Sequence, residues 1–253
     1  MRRLLIALAA AATLVVSAPA AVADAPTATS VTSVRAVGAV FFPSVAGLAE
    51  KLHIPHFCSA SVVHSAGHDL VVTAAHCVYG TGATIEFAPG FHDNVAPYGV
   101  WSVRRIYIDP AWKKGHPASA DVAFLQMAPR DGKQIEDVVG ARRLGSPVAG
   151  RPVTVVGYPM GSGGEPITCT DRLYETSGFP SFDCAGYVDG TSGGPWIQSG
   201  AVVGVIGGYE QGGCSGSTSY TAPFGATVRA LFKRARAGGP GDLVPIGFFA
   251  NAC

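Results

Sequence analysis

Asp189-Gly190-Thr191-Ser192-Gly193-Gly194-Pro195 is the stretch on which the reading of this 253-residue sequence turns. A serine flanked by glycines, between Tyr187-Val188 and the apolar Trp196-Ile197, predicts a tight turn that presents one hydroxyl. A glycine before the serine lets backbone N–H groups point into one cavity with no Cβ in the way. Such a cavity stabilises an oxyanion, a large contribution in acyl transfer. The same letters also describe an ordinary Gly-Ser turn between strands. The serine therefore takes its meaning from residues elsewhere in the chain.

The pattern G-x-S-x-G is also that of the strand-to-helix turn in α/β-hydrolases, whose histidine follows the serine. Here His53, His56, His64, His68, His76, His92 and His116 all precede Ser192. Chain order excludes that architecture, and a base for Ser192 must lie upstream. Asp69-Leu70-Val71-Val72-Thr73-Ala74 predicts a strand leading into Ala75-His76-Cys77, where small residues let the His76 ring lie against a close neighbour. A lone histidine after an apolar strand is usually structural. Cys58, in a second strand-like run from Phe57 to Val63, alters the weighing. A Cys58–Cys77 bridge would staple the two strands and hold His76 within reach of a proton. Between them, His64 and His68 stand four apart, a metal-binding interval on a helix, but Gly67 and the flanking strand patterns predict a hairpin turn. Asp121 heads the apolar run Val122-Ala123-Phe124-Leu125. A carboxylate entering such a strand needs partners, and a histidine partner would fix that ring's tautomer.

Met1-Arg2-Arg3, an apolar run from Leu4 to Val16, and small residues ending Ala21-Val22-Ala23 form the three parts of a secretory signal peptide, residues 1–23. Its apolar core is shorter than the roughly 20 residues a bilayer needs, so a secreted, extracellular protein is expected. Loss of Arg2 and Arg3 leaves 16 basic against 17 acidic side chains. That balance gives no support for a nucleic-acid or membrane-surface partner. Abundant glycine, few charges and many Val and Thr residues favour an all-β chain rich in turns. Six cysteines suit an oxidising compartment and three disulfides. They form no C-x-x-C pair, so no metal is expected.

Residues 24–36 are small and polar, and read as a flexible leader or short pro-segment in which Arg35 is a weak processing signal. Residues 129–152, polar with scattered Gly and Pro, make a linker between two strand-rich halves. In the second half, Ile167 to Leu173 and Ser181 to Ala185 predict a hairpin that brings Cys169 near Cys184. Cys253 is expected to tie the tail to Cys214, although spacing alone leaves the pairings open. Phe224, Val228, Leu231 and Phe232 recur at helical spacing, with Pro223 suited to the first turn and Lys233, Arg234 and Arg236 to the carboxyl end.

Thr73-Ala74-Ala75-His76-Cys77, Asp121 to Leu125 and Gly190 to Pro195 resemble the three signature segments of the chymotrypsin-like (trypsin-like) serine proteases, and the His…Asp…Ser order is that family's. The resemblance spans residues 37–235. It implies two six-stranded antiparallel β-barrels, 37–135 carrying His76 and Asp121 and 136–235 carrying Ser192 and the helix, followed by a tail at 236–253. By position it implies Ser192 as nucleophile, His76 as base and then acid, Asp121 orienting His76, and an oxyanion hole from the Gly190 and Ser192 N–H groups. It further implies a Cys58–Cys77 disulfide, no cofactor, a protein or peptide substrate, and a monomer. Two departures stand out. Thr191 replaces the aspartate that members activated by an inserted N-terminus carry before the nucleophile, which is similar to bacterial secreted glutamyl-endopeptidase-like members. Gly186 stands where trypsin-like members place a pocket acid, and Asp183 or Asp189 would reach the pocket only with shifted spacing. Gly186, Tyr187, Gly207 and Gly208 are the expected pocket residues, with the preferred side chain left open. A protease-fold binding or adhesion protein, or a secreted esterase using the same residues, are the rival expectations.

Overall fold

A computed structural model describes residues 25–42, 56–83, 85–161, 164–213 and 216–244. The expected signal peptide, Cys214 and Cys253 lie outside the described residues. Strand β1 is Thr29–Ser30, and six strands then build the first half: β2 (Val37–Phe41), β3 (Cys58–Val63), β4 (Leu70–Thr73), β5 (Glu86–Pro89), β6 (Trp101–Ile108) and β7 (Ala123–Met127). They close an antiparallel barrel in the order β2-β3-β4-β7-β6-β5. Strands β2, β3, β4 and β7 bury every residue. Their inward side chains fill the barrel and their outward ones are covered, which is why these runs read as nearly continuous apolar sequence. Strand β6 begins in alternation, with Trp101 and Val103 buried and Ser102 and Arg104 exposed, and a register shift near Arg105 then turns its end inward. Asp109 caps helix α1 (Pro110–Gly115) by accepting from the Ala111 N–H at 2.7 Å.

Helix α2 (Ile135–Val139) lies in the connection between halves. The expected linker is bound to both: Arg142 bridges to Val63, and Leu144 bridges to Val202. His64 and His68 flank the β3–β4 turn, and their Nδ1 atoms meet Glu136 and Asp137 of α2, each at 2.6 Å. The second half contains β8 (Pro152–Gly157), β9 (Ile167–Arg172), β10 (Tyr174–Thr176), β11 (Phe179–Asp183), β12 (Pro195–Gln198), β13 (Ala201–Val205) and β14 (Thr218–Tyr220). They form sheets β1-β9-β8-β12-β13 and β10-β11-β14. Strands β9 and β10 are one bent path across Leu173, and the sheets meet where the Val205 N–H donates to Thr221 Oγ1 (2.9 Å) and the Gly207 N–H to the Tyr220 carbonyl (3.1 Å). Between them Phe182 meets Trp196 edge-on at 4.9 Å amid Val153, Val155, Leu173 and Val203. Cys169–Cys184 ties β9 to the end of β11. Helix α3 (Ala226–Ala237) starts after Gly225, so Phe224 precedes the helix yet shares its apolar cluster with Val228 and Leu231. The all-β architecture with one C-terminal helix is the one the sequence predicts.

The leader differs from expectation. Its described residues, 25–36, are not free: Thr29 and Ser30 pair with Thr168 and Ile167, and Ala28 N–H donates to the Ala185 carbonyl at 2.8 Å. An edge strand such as β9 presents unpaired backbone groups, and a short extended run of small residues satisfies them. Arg35 donates to the Val138 carbonyl (2.7 Å) with its guanidinium over the Tyr98 ring.

The halves meet through a third apolar cluster, Val37, Ala39, Phe41, Ala88 and Phe91 against Val156 and Tyr158. His56 is 4% exposed at this seam, its Nε2 at 2.8 Å from the Tyr158 carbonyl. Burial holds its pKa below the ordinary imidazole value despite hydrogen bonds to backbone that favour the charged ring. Between the lowered folded value and the ordinary one near 6.5, the unfolded chain binds more protons, so stability falls as pH drops through that window. Urea unfolding at pH 7.5 and 5.5 should show a smaller acid loss in His56→Gln than in the parent. An equal loss in both would remove His56 from the account.

Candidate active site

Strand β4 delivers His76. It ends at Thr73, and one 3-10 turn, Ala75–Cys77, carries the ring outward. Cys77 is bonded to Cys58 of β3, 19 residues earlier. By constraining the unfolded chain, a loop of that size is worth about 3 kcal/mol, and it anchors the turn on both sides. Cys58 and Cys77 sulfurs lie close enough to His76 to resemble a metal cluster, but both are consumed in the disulfide.

Asp121 ends the 3-10 turn before β7 and is fully buried. Its Oδ1 accepts the His76 backbone N–H at 2.9 Å, and its Oδ2 lies 2.8 Å from His76 Nδ1 and accepts the Gly208 N–H at 2.8 Å. Burial pushes this carboxyl upward. The charge and hydrogen bond of His76, with the Gly208 and His76 N–H groups, outweigh burial and hold it below the ordinary carboxylate range. An ionised carboxylate only accepts hydrogen bonds, so Nδ1 must carry a proton. In the neutral ring Nε2 then keeps its lone pair and can take a proton.

The serine turn is pinned at four carbonyls. Asp189 C=O accepts from Met160 N–H (2.7 Å), Gly190 C=O from Ser59 Oγ (2.8 Å), Thr191 C=O from Gly194 N–H (2.9 Å) and Ser192 C=O from Ser59 N–H (2.7 Å). In a trans peptide the N–H points opposite to the preceding carbonyl. Fixing the Asp189 and Thr191 carbonyls therefore fixes the Gly190 and Ser192 N–H directions, and among the described residues neither N–H has an acceptor. Gly190 sits at φ 90°. Gly193, at φ 78°, lies so close to Thr73 Oγ1 and the Ser59 carbonyl that a Cβ has no room. Gly193 thereby seats the serine turn on the strands that carry His76. Among the described residues no hydrogen bond joins His76 to Ser192; catalytic hydrogen bonds are often long without substrate.

Ser59 is a residue that the sequence reading did not single out. Buried in β3, its hydroxyl accepts the Tyr158 N–H (2.8 Å) while donating to Gly190, and its N–H holds Ser192. Ser59→Ala should cost about 1–3 kcal/mol of stability through the orphaned Tyr158 N–H and Gly190 carbonyl. It should also lower kcat about 10-fold with KM nearly constant, because the Gly190–Thr191 peptide that separates the two N–H donors loosens. A loss of stability with kcat intact would leave Ser59 a purely structural group.

A cavity of about 300 Å³ opens beside Ser192. Of the expected pocket residues, Tyr187 lines it; Gly186, Gly207 and Gly208 do not. The space where a Gly186 Cβ would stand faces Ala28 instead. Gly207 and Gly208 belong to the carboxylate side, where a Gly207 Cβ would press on Asp121 at 2.9 Å. The far wall is Glu210, Gln211, Gly212 and Gly213, which the sequence reading missed; the doubled glycines bracketing Tyr209-Glu210-Gln211 were the signal available.

The model of the trypsin-like peptidase domain family matches residues 58–205. Among solved structures, a protease, Anisep, from Arthrobacter nicotinovorans is similar, with 26% identity and a TM-score of 0.70 over 83% of this chain and 100% of its own. A Glu endopeptidase matches at 18% identity and a TM-score of 0.63, over 84% of this chain and 97% of its own. Human heparin binding protein matches at 15% identity and a TM-score of 0.61, over 86% and 99%. The last two likenesses concern the fold alone. No curated protein sequence matched the chain.

Proposed function

This chain belongs to the trypsin-like peptidase domain family, and from that premise we propose that it is a secreted serine endopeptidase acting through an acyl-enzyme at Ser192. The observation that carries the reading is the buried Asp121 carboxylate bonded to His76 Nδ1, which in the neutral ring makes Nε2 the nitrogen that can accept a proton. His76 Nε2 takes the Ser192 proton as Oγ attacks the peptide carbonyl. The carbonyl oxygen becomes an oxyanion that the Gly190 and Ser192 N–H groups receive. Asp121 steadies the imidazolium that forms. The tetrahedral adduct collapses, the C–N bond breaks, and His76 gives its proton to the leaving amine. Water then repeats the cycle on the acyl ester, with His76 again as base, and releases the acid and free Ser192. No step needs a cofactor.

Export rests on the sequence of residues 1–23 and on two disulfides, Cys58–Cys77 and Cys169–Cys184, which persist in oxidising compartments. No helix among the described residues is long and apolar enough to cross a membrane. The rival is a binding protein on the same fold, since one fold hosts many functions. A fluorophosphonate probe on the purified protein separates the two. Labelling of Ser192, together with hydrolysis of peptide rather than only ester substrates, is expected. A folded protein that neither labels nor cleaves would belong to the binding class.

A further inference from the structure

Residues 184–186 lead from β11 to the cavity wall and are paired on both sides, as a central strand is. On one side the Cys184 N–H donates to the Ser217 carbonyl (2.6 Å) and the Gly186 N–H to the Gly216 carbonyl (3.4 Å). On the other, Ala185 turns both of its backbone polar groups to the leader. Its N–H donates to the Pro26 carbonyl and its carbonyl accepts the Ala28 N–H, each at 2.8 Å, and Thr27 forms a parallel bridge with it. That alternation between opposite neighbours is the hydrogen-bonding habit of extended backbone in a sheet. The leader continues as β1 along β9, and the Val31 N–H donates to the Pro166 carbonyl at 2.9 Å. Ala28 also packs on the apolar cluster that Tyr187 joins, and a Cβ on Gly186 would lie 3.5 Å from the Ala28 Cβ. From Gly186 the chain runs directly into Tyr187, Val188 and Asp189, which line the cavity. One wall of the cavity therefore stands on a strand whose outer edge is the leader.

Without the leader, Ala185 and β9 would present an open sheet edge, which pairs with whatever backbone comes near. A new terminus made by cutting after Arg35 could not take the leader's place, because the residues that follow are committed to the barrel. The Ala36 carbonyl accepts the Val62 N–H at 2.8 Å, and Val37 is fully buried and pairs with Ser61. Thr191, the residue before the nucleophile, has no carboxylate to receive such a terminus, and its hydroxyl donates to the Val188 carbonyl at 2.6 Å. We infer that residues 25–34 are a working strand of the enzyme and not a pro-segment to be shed: by pairing Ala185 they hold the Tyr187–Asp189 wall in place for substrate. The inference rests on the peptidase reading above and goes beyond it. The leader is a positioning segment, and its loss weakens substrate binding while the groups that do the chemistry stay as they are.

Ala28→Pro in the full chain tests it, since proline removes the donor to Ala185 and sets a ring carbon against that carbonyl. The substrate is the peptide that the parent cleaves fastest in a fluorogenic panel varied before the scissile bond. Its KM should rise about 5-fold, the worth of one hydrogen bond. Both kcat and the rate of labelling by a small fluorophosphonate should stay within about 2-fold, because the bonds among Asp121, His76 and the serine turn are untouched. Deletion of residues 24–34 removes both bonds to Ala185 and should raise KM about 25-fold. A synthetic peptide of residues 24–34, added in trans as a strand, should bring KM back toward the parent value, and the same peptide carrying Ala28→Pro should not. An unchanged KM in both variants overturns the inference, as does a gain of activity on deletion, which would make the leader a pro-segment. Labelling that falls in step with hydrolysis also overturns it, since the loss would then be one of general structure. A parent that cleaves no peptide of the panel removes the peptidase reading, and this inference with it.

Discussion

Ser192→Ala is expected to lower kcat for peptide hydrolysis about 10⁶-fold while the fold persists. The magnitude is that of losing the nucleophile from a coupled set, in which removal of one member costs nearly as much as removal of all. The residual rate, about 10³–10⁴ over water, belongs to the oxyanion donors and binding, which the substitution leaves in place because they are backbone groups. Stability should change little. The Ser192 side chain is partly exposed and makes no hydrogen bond among the described residues, while the backbone carbonyl that Ser59 holds remains. A surface change of this kind stays within about 0.5 kcal/mol. Progress curves and probe labelling of parent and variant, beside urea unfolding of each, decide the matter. Undiminished hydrolysis in the variant would end the proposed mechanism. Lost hydrolysis with a lost fold would contradict the packing described for the turn.

The parts of this site that are legible in sequence are those where chemistry restricts both a residue and its neighbours. His76 is announced by small residues on one side and a cysteine on the other; Ser192 is announced by glycines that close packing and positive φ require, as at Gly190 and Gly193. The order of His76, Asp121 and Ser192 then excludes other folds. What depends on contacts across the chain is not legible. Ser59 reads as one more member of an apolar strand, and only the approach of Gly190 and Tyr158 reveals its hydroxyl as a clamp. The segment 25–36 has the composition of a tail, because pairing with a sheet edge uses backbone and leaves no mark on side chains. Gly207 and Gly208 were expected at the pocket. Their place beside Asp121 follows from how β13 leaves its sheet, which no local pattern records. The cavity wall Glu210–Gly213 is hidden for the same reason, since its path comes from φ values unusual for Glu210 and Gln211.

Asp121→Asn is the sharper test of how those distant groups work together, with an expected loss in kcat of about 10⁴-fold. The carboxylate serves three N–H donors, one at Oδ1 and two at Oδ2. An amide has one oxygen. If that oxygen faces His76 Nδ1 and Gly208, the amide NH₂ is driven against the His76 backbone N–H, donor against donor. If the amide is turned round, its NH₂ faces Nδ1, the ring keeps its proton on Nε2, and it can no longer accept one from Ser192. The first arrangement strains the site and the second disables the base. The site is fully buried, so water cannot relieve either. Stability should also fall, by about 1–3 kcal/mol for the mismatched donor, and a urea midpoint measures that separately from kcat. The two readouts separate two roles for Asp121. A residue that only caps the turn before β7 would show the stability loss with turnover within about 10-fold of the parent in native buffer, whereas one that sets the tautomer must show the far larger loss in kcat. Since the negative charge is also lost, the imidazolium formed during attack has nothing to steady it, which adds to the barrier in the same direction. A small kcat effect would therefore refute both contributions at once, and with them the use of the Asp121–His76 contact as the basis for assigning the chemistry.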